Sequence, residues 1–195
     1  MRISEISRQT KETTITVKLN IDGSGVFKNE SGCGFLDHML DLFACHGRFD
    51  LDVSCKGDTE VDYHHSIEDI AIVLGQAFAD ALGDKAGIYR FANAIIPMDE
   101  ALVMCAVDVC GRAHLEYVLD IPTEKVGDFD TELVEEFMSA FTRSLGLALH
   151  FQQFAGNNSH HIIEAAFKSL ARALKKALSI DPTLKGQVPS TKGVL

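Results

Sequence analysis

Two copies of the motif His-His-x-x-Glu stand far apart in the chain, at residues 64–68 and 160–164. Side chains four residues apart lie on one face of an α-helix, so His64 and Glu68 can bind one ion together. His160 and Glu164 have the same spacing. The sequence therefore predicts two helix-borne pairs of metal ligands.

The second histidine of each motif, His65 or His161, follows directly after a predicted ligand. Successive helical side chains diverge by about 100°, so this second ring points away from the first. It is better placed for a second ion, or for a neighbouring subunit, than for the ion bound by its neighbour. Two metal sites are therefore expected rather than one.

Apolar periodicity predicts the elements that position the first motif. Residues 13–21 alternate as a half-buried strand, and 35–43 have the spacing of a helix that carries His38 and ends at Gly47. A strand over 49–53 and a polar loop over 56–62 follow, and a helix then runs from the motif to residue 82.

The second half repeats this order. Strands are predicted over 88–96, 101–109 and 114–119, a helix from residue 131 to Gly146, a strand over 147–151 and a final helix that begins at the second motif. Its first helix carries Glu136 where the first half has His38. An α/β (α+β) fold of two duplicated halves, 1–87 and 88–180, is therefore predicted. Generic α/β patterning is the alternative, which the repeated motif disfavours.

The last residues, 181–195, show no core periodicity and are expected to be a frayed end or a binding segment. A formal charge of −10 argues against general binding of nucleic acid or anionic membranes. No apolar run approaches the roughly 18 residues of a membrane span, and the first residues lack the pattern of a signal peptide. Five cysteines without a Cys-x-x-Cys motif suit a reducing compartment, so the cytoplasm is expected.

Several motifs, in this order, closely resemble the imidazoleglycerol-phosphate dehydratase family of histidine biosynthesis, in its monofunctional form. They are FLDHML (35–40), DYHHSIED (62–69), PMDE (97–100), GR (111–112), HHIIEAAFK (160–168) and PSTKG (189–193). The resemblance implies a ribosomal protein S5 domain 2-like fold, two Mn²⁺ ions per active site, and a 24-mer with sites between subunits.

The resemblance also implies how the eight ligands divide. One ion is bound by His38, His65, His160 and Glu164; the other by His64, Glu68, Glu136 and His161. Some relatives have His at the position of Glu136, and the adjacent Glu135 is the alternative ligand. The absence of Cys disfavours structural zinc, although such nitrogen and oxygen donors also accept Zn²⁺, Fe²⁺ or Co²⁺.

The implied reaction converts D-erythro-1-(imidazol-4-yl)glycerol 3-phosphate to 3-(imidazol-4-yl)-2-oxopropyl phosphate, or imidazoleacetol phosphate, and water. Its difficulty is that no carbonyl acidifies the carbon that loses a proton. Two Lewis-acidic ions flanking the imidazole ring would favour its anion, whose electrons would expel the neighbouring hydroxyl. Glu12, which matches a substrate-site glutamate of the family, and Glu164 are the candidates for proton transfer.

Substrate binding is expected from ligand residues and from cations that match the family's phosphate site. Arginine and lysine with a hydroxyl suit phosphate oxygens. The predicted set is Glu12, His38, His46, His64, His65, Glu68, Arg90, Arg112, His160, Lys168, Ser190, Thr191 and Lys192. His114 and His150 are expected to have no role in the site. Asp69 and Asp99 are candidate partners of ligating histidines, with surface or capping roles as the alternative.

Two other functions fit paired ions with histidine and carboxylate ligands. A dinuclear hydrolase acting on a phosphorylated metabolite would release phosphate. A non-catalytic assembly protein would use the ions to cross-link subunits and would bind metal without turnover. The phosphate-type residues and the full series of motifs favour the dehydratase.

Overall fold

The computed structural model describes all 195 residues. The first half forms a four-stranded sheet in the order β1-β2-β4-β3, in which only the β3–β4 pair is parallel. Two helices connect or follow these strands. The elements are β1 (Ile3–Gln9), β2 (Thr13–Asn20), β3 (Phe27–Glu30), α1 (Gly34–Gly47), β4 (Asp50–Gly57) and α2 (His64–Leu82).

The second half forms a sheet in the order β5-β6-β10-β7, and here only the β7–β10 pair is parallel. A short hairpin, β8–β9, is the one addition relative to the first half. The elements are β5 (Phe91–Met98), β6 (Ala101–Asp108), β7 (His114–Val118), β8 (Lys125–Val126), β9 (Phe129–Asp130), α3 (Leu133–Leu145), β10 (Ala148–Ala155) and α4 (Ser159–Leu178).

Both sheets bury one face against the helices. In β2, for example, Ile15, Val17 and Leu19 are fully buried while the residues between them face outwards. The alternation arises because successive side chains of a strand point to opposite faces. Helix α1 packs against α4, and α2 against α3, so each pair joins the two halves. Residues of both halves form one continuous hydrophobic core.

The fold agrees with the predicted class, sheets packed on helices, and with both predicted helix starts at the His-His motifs. None of the helices has the length and apolar character that a membrane span requires. Three boundaries differ from the prediction by three residues or more, and one of them is the end of β10, which runs to Ala155 rather than to residue 151. Strand β4 extends to Gly57, into the predicted loop, and β5 begins at Phe91 rather than at residue 88 because Arg90 adopts a left-handed φ of 71°.

The expectation of a frayed C-terminal end is wrong for the part of the tail nearest to α4. A 3₁₀-helix forms over Pro182–Leu184, and the backbone N–H of Gly87 donates to the carbonyl of Gln187 at 2.9 Å. Arg90 Nη1 donates to the carbonyl of Pro189, also at 2.9 Å. The tail is therefore attached to the junction between the two halves.

Candidate metal centre

Helices α1 and α4 bring together the first group of predicted ligands, His38, His160 and Glu164. Glu164 Oε2 lies 3.3 Å from His160 Nε2 and 3.5 Å from His38 Nε2. One donor atom from each of the three side chains falls within 4.8 Å of the others. We call this group the first cluster.

Glu164 is the most enclosed member of the first cluster, with a relative exposure of 6%. Burial alone would raise the pKa of its carboxyl group, but the hydrogen bond and charge of Lys168 outweigh burial and lower the pKa. Lys168 contacts Oε1, whereas the two imidazoles face Oε2. The carboxylate therefore stays ionised and directs one oxygen to the histidines.

Helices α2 and α3 bring together the second group, His64, Glu68 and Glu136, again within 4.8 Å. The structure places Glu136 here and leaves Glu135 exposed, outside the group. Arg143 Nη2 lies 3.3 Å from Glu68 Oε1 and 3.8 Å from Glu136 Oε1. We call this group the second cluster.

Each cluster combines the two halves of the chain in the same way. The first helix of one half, α1 or α3, supplies a single ligand, His38 or Glu136. The second helix of the other half, α4 or α2, supplies the histidine and glutamate of the motif. The i, i+4 spacing places that pair on one helical face, and the helix packing supplies the third donor.

The second histidine of each motif lies outside both clusters, as its position around the helix requires. Asp58 Oδ2 accepts a hydrogen bond from His65 Nδ1 at 2.9 Å, and Glu100 Oε2 accepts one from His161 Nδ1 at 2.6 Å. These bonds raise the pKa of both histidines, and the bond from His161 lowers the pKa of Glu100 to about 2.

Two carboxylates in β-turns face the outer nitrogens of these histidines. Glu12, in the β1–β2 turn, has Oε1 3.8 Å from His65 Nε2. Asp99, in the β5–β6 turn, has Oδ2 3.7 Å from His161 Nε2. Glu12 is thus beside a predicted ligand. Asp99 is near its histidine, but the closer partner of His161 is Glu100.

The prediction that Asp69 contacts a ligating histidine is wrong. Its carboxylate is buried, where it accepts a hydrogen bond from Thr13 Oγ1 at 2.6 Å and one from Arg8 Nε at 3.1 Å. Both acceptor oxygens are therefore occupied by side chains of the first sheet. Asp69 fastens α2 to that sheet.

His46 and Lys168 lie beside the first cluster. His46 is in the last turn of α1, and its pKa is lowered by burial and then by the charges of Lys168 and Arg172 on α4. Lys168 Nζ also lies 3.5 Å from Met98 Sδ. Of the predicted cationic residues, Lys168 alone contacts a member of either cluster, and that member is Glu164.

The other predicted phosphate residues gather around the tail. Arg90 donates through Nε and Nη2 to Asp108, at 2.7 and 3.2 Å, in addition to its bond to Pro189. The exposed Arg112 follows Gly111, where an added Cβ atom would lie 3.1 Å from the carbonyl carbon of Leu195. Ser190, Thr191 and Lys192 belong to the same tail segment, where Ser190 Oγ accepts from the Lys192 N–H at 3.2 Å. The remaining histidines, His114 and His150, lie on the outer face of the second sheet, away from both clusters.

Comparison with known proteins shows the family of this chain. The family model for imidazoleglycerol-phosphate dehydratase matches residues 31–174, which include all eight predicted ligands. The chain belongs to the imidazoleglycerol-phosphate dehydratase family. This membership confirms the predicted resemblance and the enzyme class, a hydro-lyase.

Relatives of the family match the chain over its whole length. Imidazoleglycerol-phosphate dehydratase of Prochlorococcus marinus (strain NATL1A) is 54% identical over 194 residues, covering 100% of this chain and 96% of that protein. The chloroplastic enzyme of Pisum sativum is 52% identical and is covered over 69% of its length. The crystal structure of the Staphylococcus aureus enzyme superposes with a TM-score of 0.84 at 38% identity, covering 92% of this chain and 99% of that one.

The donor atoms of both clusters fit divalent cations. Each cluster offers three oxygen or nitrogen donors close enough to bind one ion, and neither contains a cysteine. An ion held by three protein donors would still be able to bind a further ligand or a substrate. A fourth ligand from His65 or His161 of the same chain is not close to either cluster.

Asp58 was not among the residues predicted from the sequence, and Glu100 entered only as part of the PMDE motif. Glu100 lies 61 residues from His161 and Asp58 lies 7 residues from His65, so the two contacts share no spacing. The only signal is indirect. A ligating histidine commonly donates its other ring N–H to a carboxylate; Asp58 lies in the loop before the first motif, and Glu100 ends the PMDE motif in the β5–β6 turn.

Proposed function

We propose that this chain dehydrates imidazoleglycerol phosphate to imidazoleacetol phosphate, a step of histidine biosynthesis. The observation that carries the proposal is the pair of clusters. In each cluster, residues that match the family's ligands come together from one helix of each half as a group of three donors. The names and full-length similarity of the relatives support the same reaction. The hydrolase and assembly functions receive no comparable support.

His38, His160 and Glu164 would bind one Mn²⁺ ion, and His64, Glu68 and Glu136 would bind the other. When bound, the two ions would supply Lewis acidity toward the nitrogens of the substrate imidazole. The histidine and carboxylate donors hold their positions through helix packing and through the contacts of Glu164 with Lys168. Substrate therefore meets ligands that need little rearrangement.

Glu12 and Glu164 are the proposed groups for moving protons. Glu12 is exposed in a turn and carries no side-chain hydrogen bond, so its oxygens are free to accept a proton. Glu164 stands between the first-cluster histidines and Lys168, so its charge is balanced on both sides. We assign proton abstraction to Glu12 rather than to Glu164, because the oxygens of Glu164 already face three nitrogens.

Lys168, Arg112 and the tail would bind the substrate phosphate. Arg112 is exposed, and the tail brings a hydroxyl and an ammonium group through Ser190 and Lys192. Arg90 has two of its nitrogens on Asp108 and one on the Pro189 carbonyl, so its first role is to hold the tail. Its remaining N–H groups can still reach a phosphate oxygen.

We also propose that active sites form between subunits, and the positions of His65 and His161 support this. Each ring has Nδ1 on a carboxylate, and neither ring belongs to a cluster of its own chain. We therefore assign them to clusters of neighbouring copies in a homo-oligomer, the 24-mer of the family resemblance. The common topology of the two sheets supports an origin by duplication, and the free cysteines suit the cytoplasm.

The test is the identity of the product. The Mn²⁺-loaded protein is incubated with imidazoleglycerol phosphate and followed by ³¹P and ¹³C NMR, beside a chelated sample. We expect a ketone carbon to appear while the phosphate ester stays intact, only in the metal-loaded sample. Release of inorganic phosphate would establish the hydrolase instead, and ion binding without any product would establish the assembly protein.

A further inference from the structure

Asp58 and Glu100 occupy equivalent chemical positions in the two halves. Each carboxylate accepts a hydrogen bond from Nδ1 of the second motif histidine, at 2.9 Å for His65 and 2.6 Å for His161. They come from different elements: Asp58 from the loop between β4 and α2, and Glu100 from the β5–β6 turn. The same contact is thus made twice by unrelated segments.

An ionised carboxylate only accepts hydrogen bonds, so Nδ1 of each histidine must be the donor. A neutral imidazole carries one proton, and with that proton on Nδ1 the lone pair is on Nε2. Nε2 of both rings is directed away from the carboxylate that fixes it, toward the turn residues Glu12 and Asp99 at 3.8 and 3.7 Å. Each ring is therefore oriented as a ligand before any ion binds.

We infer that Asp58 and Glu100 are positioning residues that fix the tautomer and direction of His65 and His161, so that each Nε2 can complete a metal site. The inference rests on the proposed function, because it takes both histidines as metal ligands. It adds that each half supplies its own carboxylate for this purpose. Neither carboxylate needs to touch the ion or the substrate.

Glu100 also accepts hydrogen bonds at its other carboxylate oxygen, so a single substitution can test its contact with His161. Its Oε1 accepts the backbone N–H groups of Asn157 and Asn158, at 3.2 and 2.9 Å, in the loop before α4. In Glu100→Gln the amide oxygen must keep these two bonds, so the NH₂ group must face His161 Nδ1. The histidine proton then moves to Nε2, and the lone pair needed by the ion is lost.

Asp58 gives a complementary pair of variants. Its Oδ1 is buried without a hydrogen-bond partner, so the amide of Asp58→Asn is free to rotate and present oxygen to His65. Asp58→Ala removes the acceptor altogether. The two variants differ in the tautomer of His65, whereas a merely structural role in the loop would affect both.

The measurement is Mn²⁺ binding to the assembled, substrate-free protein, followed by electron paramagnetic resonance of free Mn²⁺. We expect Glu100→Gln and Asp58→Ala each to weaken one of the two ions per chain by about 10- to 100-fold, with Asp58→Asn close to wild type. Glu60→Gln, in the same exposed loop as Asp58, is the matched control and should bind normally. Circular dichroism and gel filtration check folding and assembly.

Wild-type affinity for both ions in Glu100→Gln and Asp58→Ala would overturn the inference, as would a wild-type protein that binds no Mn²⁺. If Glu100→Gln fails to fold, the difference in Mn²⁺ affinity between Asp58→Ala and Asp58→Asn tests the inference by itself. Because binding is measured without turnover, a protein that binds two ions but forms no ketone would refute the proposed dehydration. Weaker binding of one ion in Glu100→Gln and Asp58→Ala would then still support the positioning role of the two carboxylates.

Discussion

The two carboxylate oxygens of Glu164 make different contacts in the first cluster. One oxygen faces the imidazoles of His38 and His160, and the other contacts Lys168. Burial of a carboxylate is costly unless it is paired, and here three nitrogen groups surround it. The charge of Glu164, and not only its shape, is therefore part of the site.

Glu164→Gln keeps the size of the side chain and removes its charge. We expect the assembled variant to lose one Mn²⁺ ion per chain and to form ketone at least on the order of 100-fold more slowly. Loss of a metal ligand should lower the metal affinity at least as much as loss of a residue that hydrogen-bonds to a ligand. Metal analysis after gel filtration and an initial-rate assay measure the two effects. Glu132→Gln, an exposed change at the N-cap of α3, is the control. Two ions with a normal rate in Glu164→Gln would contradict the assignment.

The sequence was sufficient to predict the motif pairs but not the groups around them. His64 with Glu68, and His160 with Glu164, are fixed by local helix geometry, so their spacing carries the information. Asp58 and Glu100 approach their histidines only through the tertiary fold, and no spacing indicates them. For the same reason Asp69, next to a motif in sequence, belongs to a different set of contacts.

Among the elements, α2 and α3 pack closely against each other at Gly75. A Cβ atom there would lie 2.6 Å from Ser144 Cβ and 2.9 Å from the Phe141 carbonyl oxygen. Contacts this short are incompatible with normal packing, so the glycine permits the close approach. The same two helices carry the ligands of the second cluster, and their spacing sets the distance from Glu136 to the motif pair.

Gly75→Ala should therefore destabilise the protein although alanine favours helices. The gain in helix propensity is about 1 kcal/mol, whereas overpacking costs about 1–3 kcal/mol and here involves backbone. We expect a lower thermal midpoint and weaker binding of one Mn²⁺ ion. Gly34→Ala is the matched control, since a Cβ on Gly34 in α1 has no atom within 4 Å. Equal or higher stability of Gly75→Ala would show that the helix contact is looser than described.

Asp50 fixes the loop that precedes β3. Its Oδ1 accepts the backbone N–H groups of Ser24, Gly25 and Val26, at 2.8, 3.1 and 3.1 Å. Burial would raise the pKa of Asp50, but these bonds together with one from Asn20 lower it. A carboxylate with a lowered folded-state pKa stabilises the fold above its unfolded pKa of about 3.9, and it loses that effect as the pH falls.

Asp50→Asn should reduce the free energy of unfolding by about 1–2 kcal/mol at pH 7, because neutral acceptors form weaker hydrogen bonds than ionised ones. Urea unfolding at a series of pH values measures this difference. We expect the gap between wild type and variant to narrow below about pH 4, as the wild-type carboxylate becomes protonated. A gap that persists unchanged at low pH would assign the effect to shape rather than charge.

The strands that sequence patterns failed to predict are two edge strands and a short separate hairpin. Strands β1 and β3 carry mostly exposed side chains, and the β8–β9 hairpin has two residues per strand. Such strands are defined by pairing with a neighbour rather than by an apolar face, so their sequences carry little periodicity. The central strands β2 and β6, with one buried face each, were predictable from alternation.

At the scale of the whole molecule, each cluster takes its donor residues from both halves of the chain. Each cluster needs a helix from both halves, so neither half alone contains a three-donor site. His65 and His161 extend this arrangement outward, since both project from the motif helices and neither belongs to a cluster of its own chain. The complete site is therefore expected only where copies of the chain meet.

This sharing of ligands can be tested by mixing two inactive variants. His38→Ala lacks a ligand of the first cluster, and His65→Ala lacks the histidine that we assign to a neighbour's first cluster. Each variant alone should form no ketone. In a mixed assembly, the intact cluster of a His65→Ala chain can receive His65 from a His38→Ala chain.

The decisive measurement is ketone formation by the co-assembled variants with Mn²⁺ and imidazoleglycerol phosphate, after gel filtration and mass spectrometry establish that both chains share one assembly. We expect activity to return in the mixture, at a fraction of the wild-type rate, because a minority of sites will have complementary chains. Separately assembled variants, combined without exchange, should stay inactive. A mixed assembly without activity would contradict a dehydratase site completed between subunits.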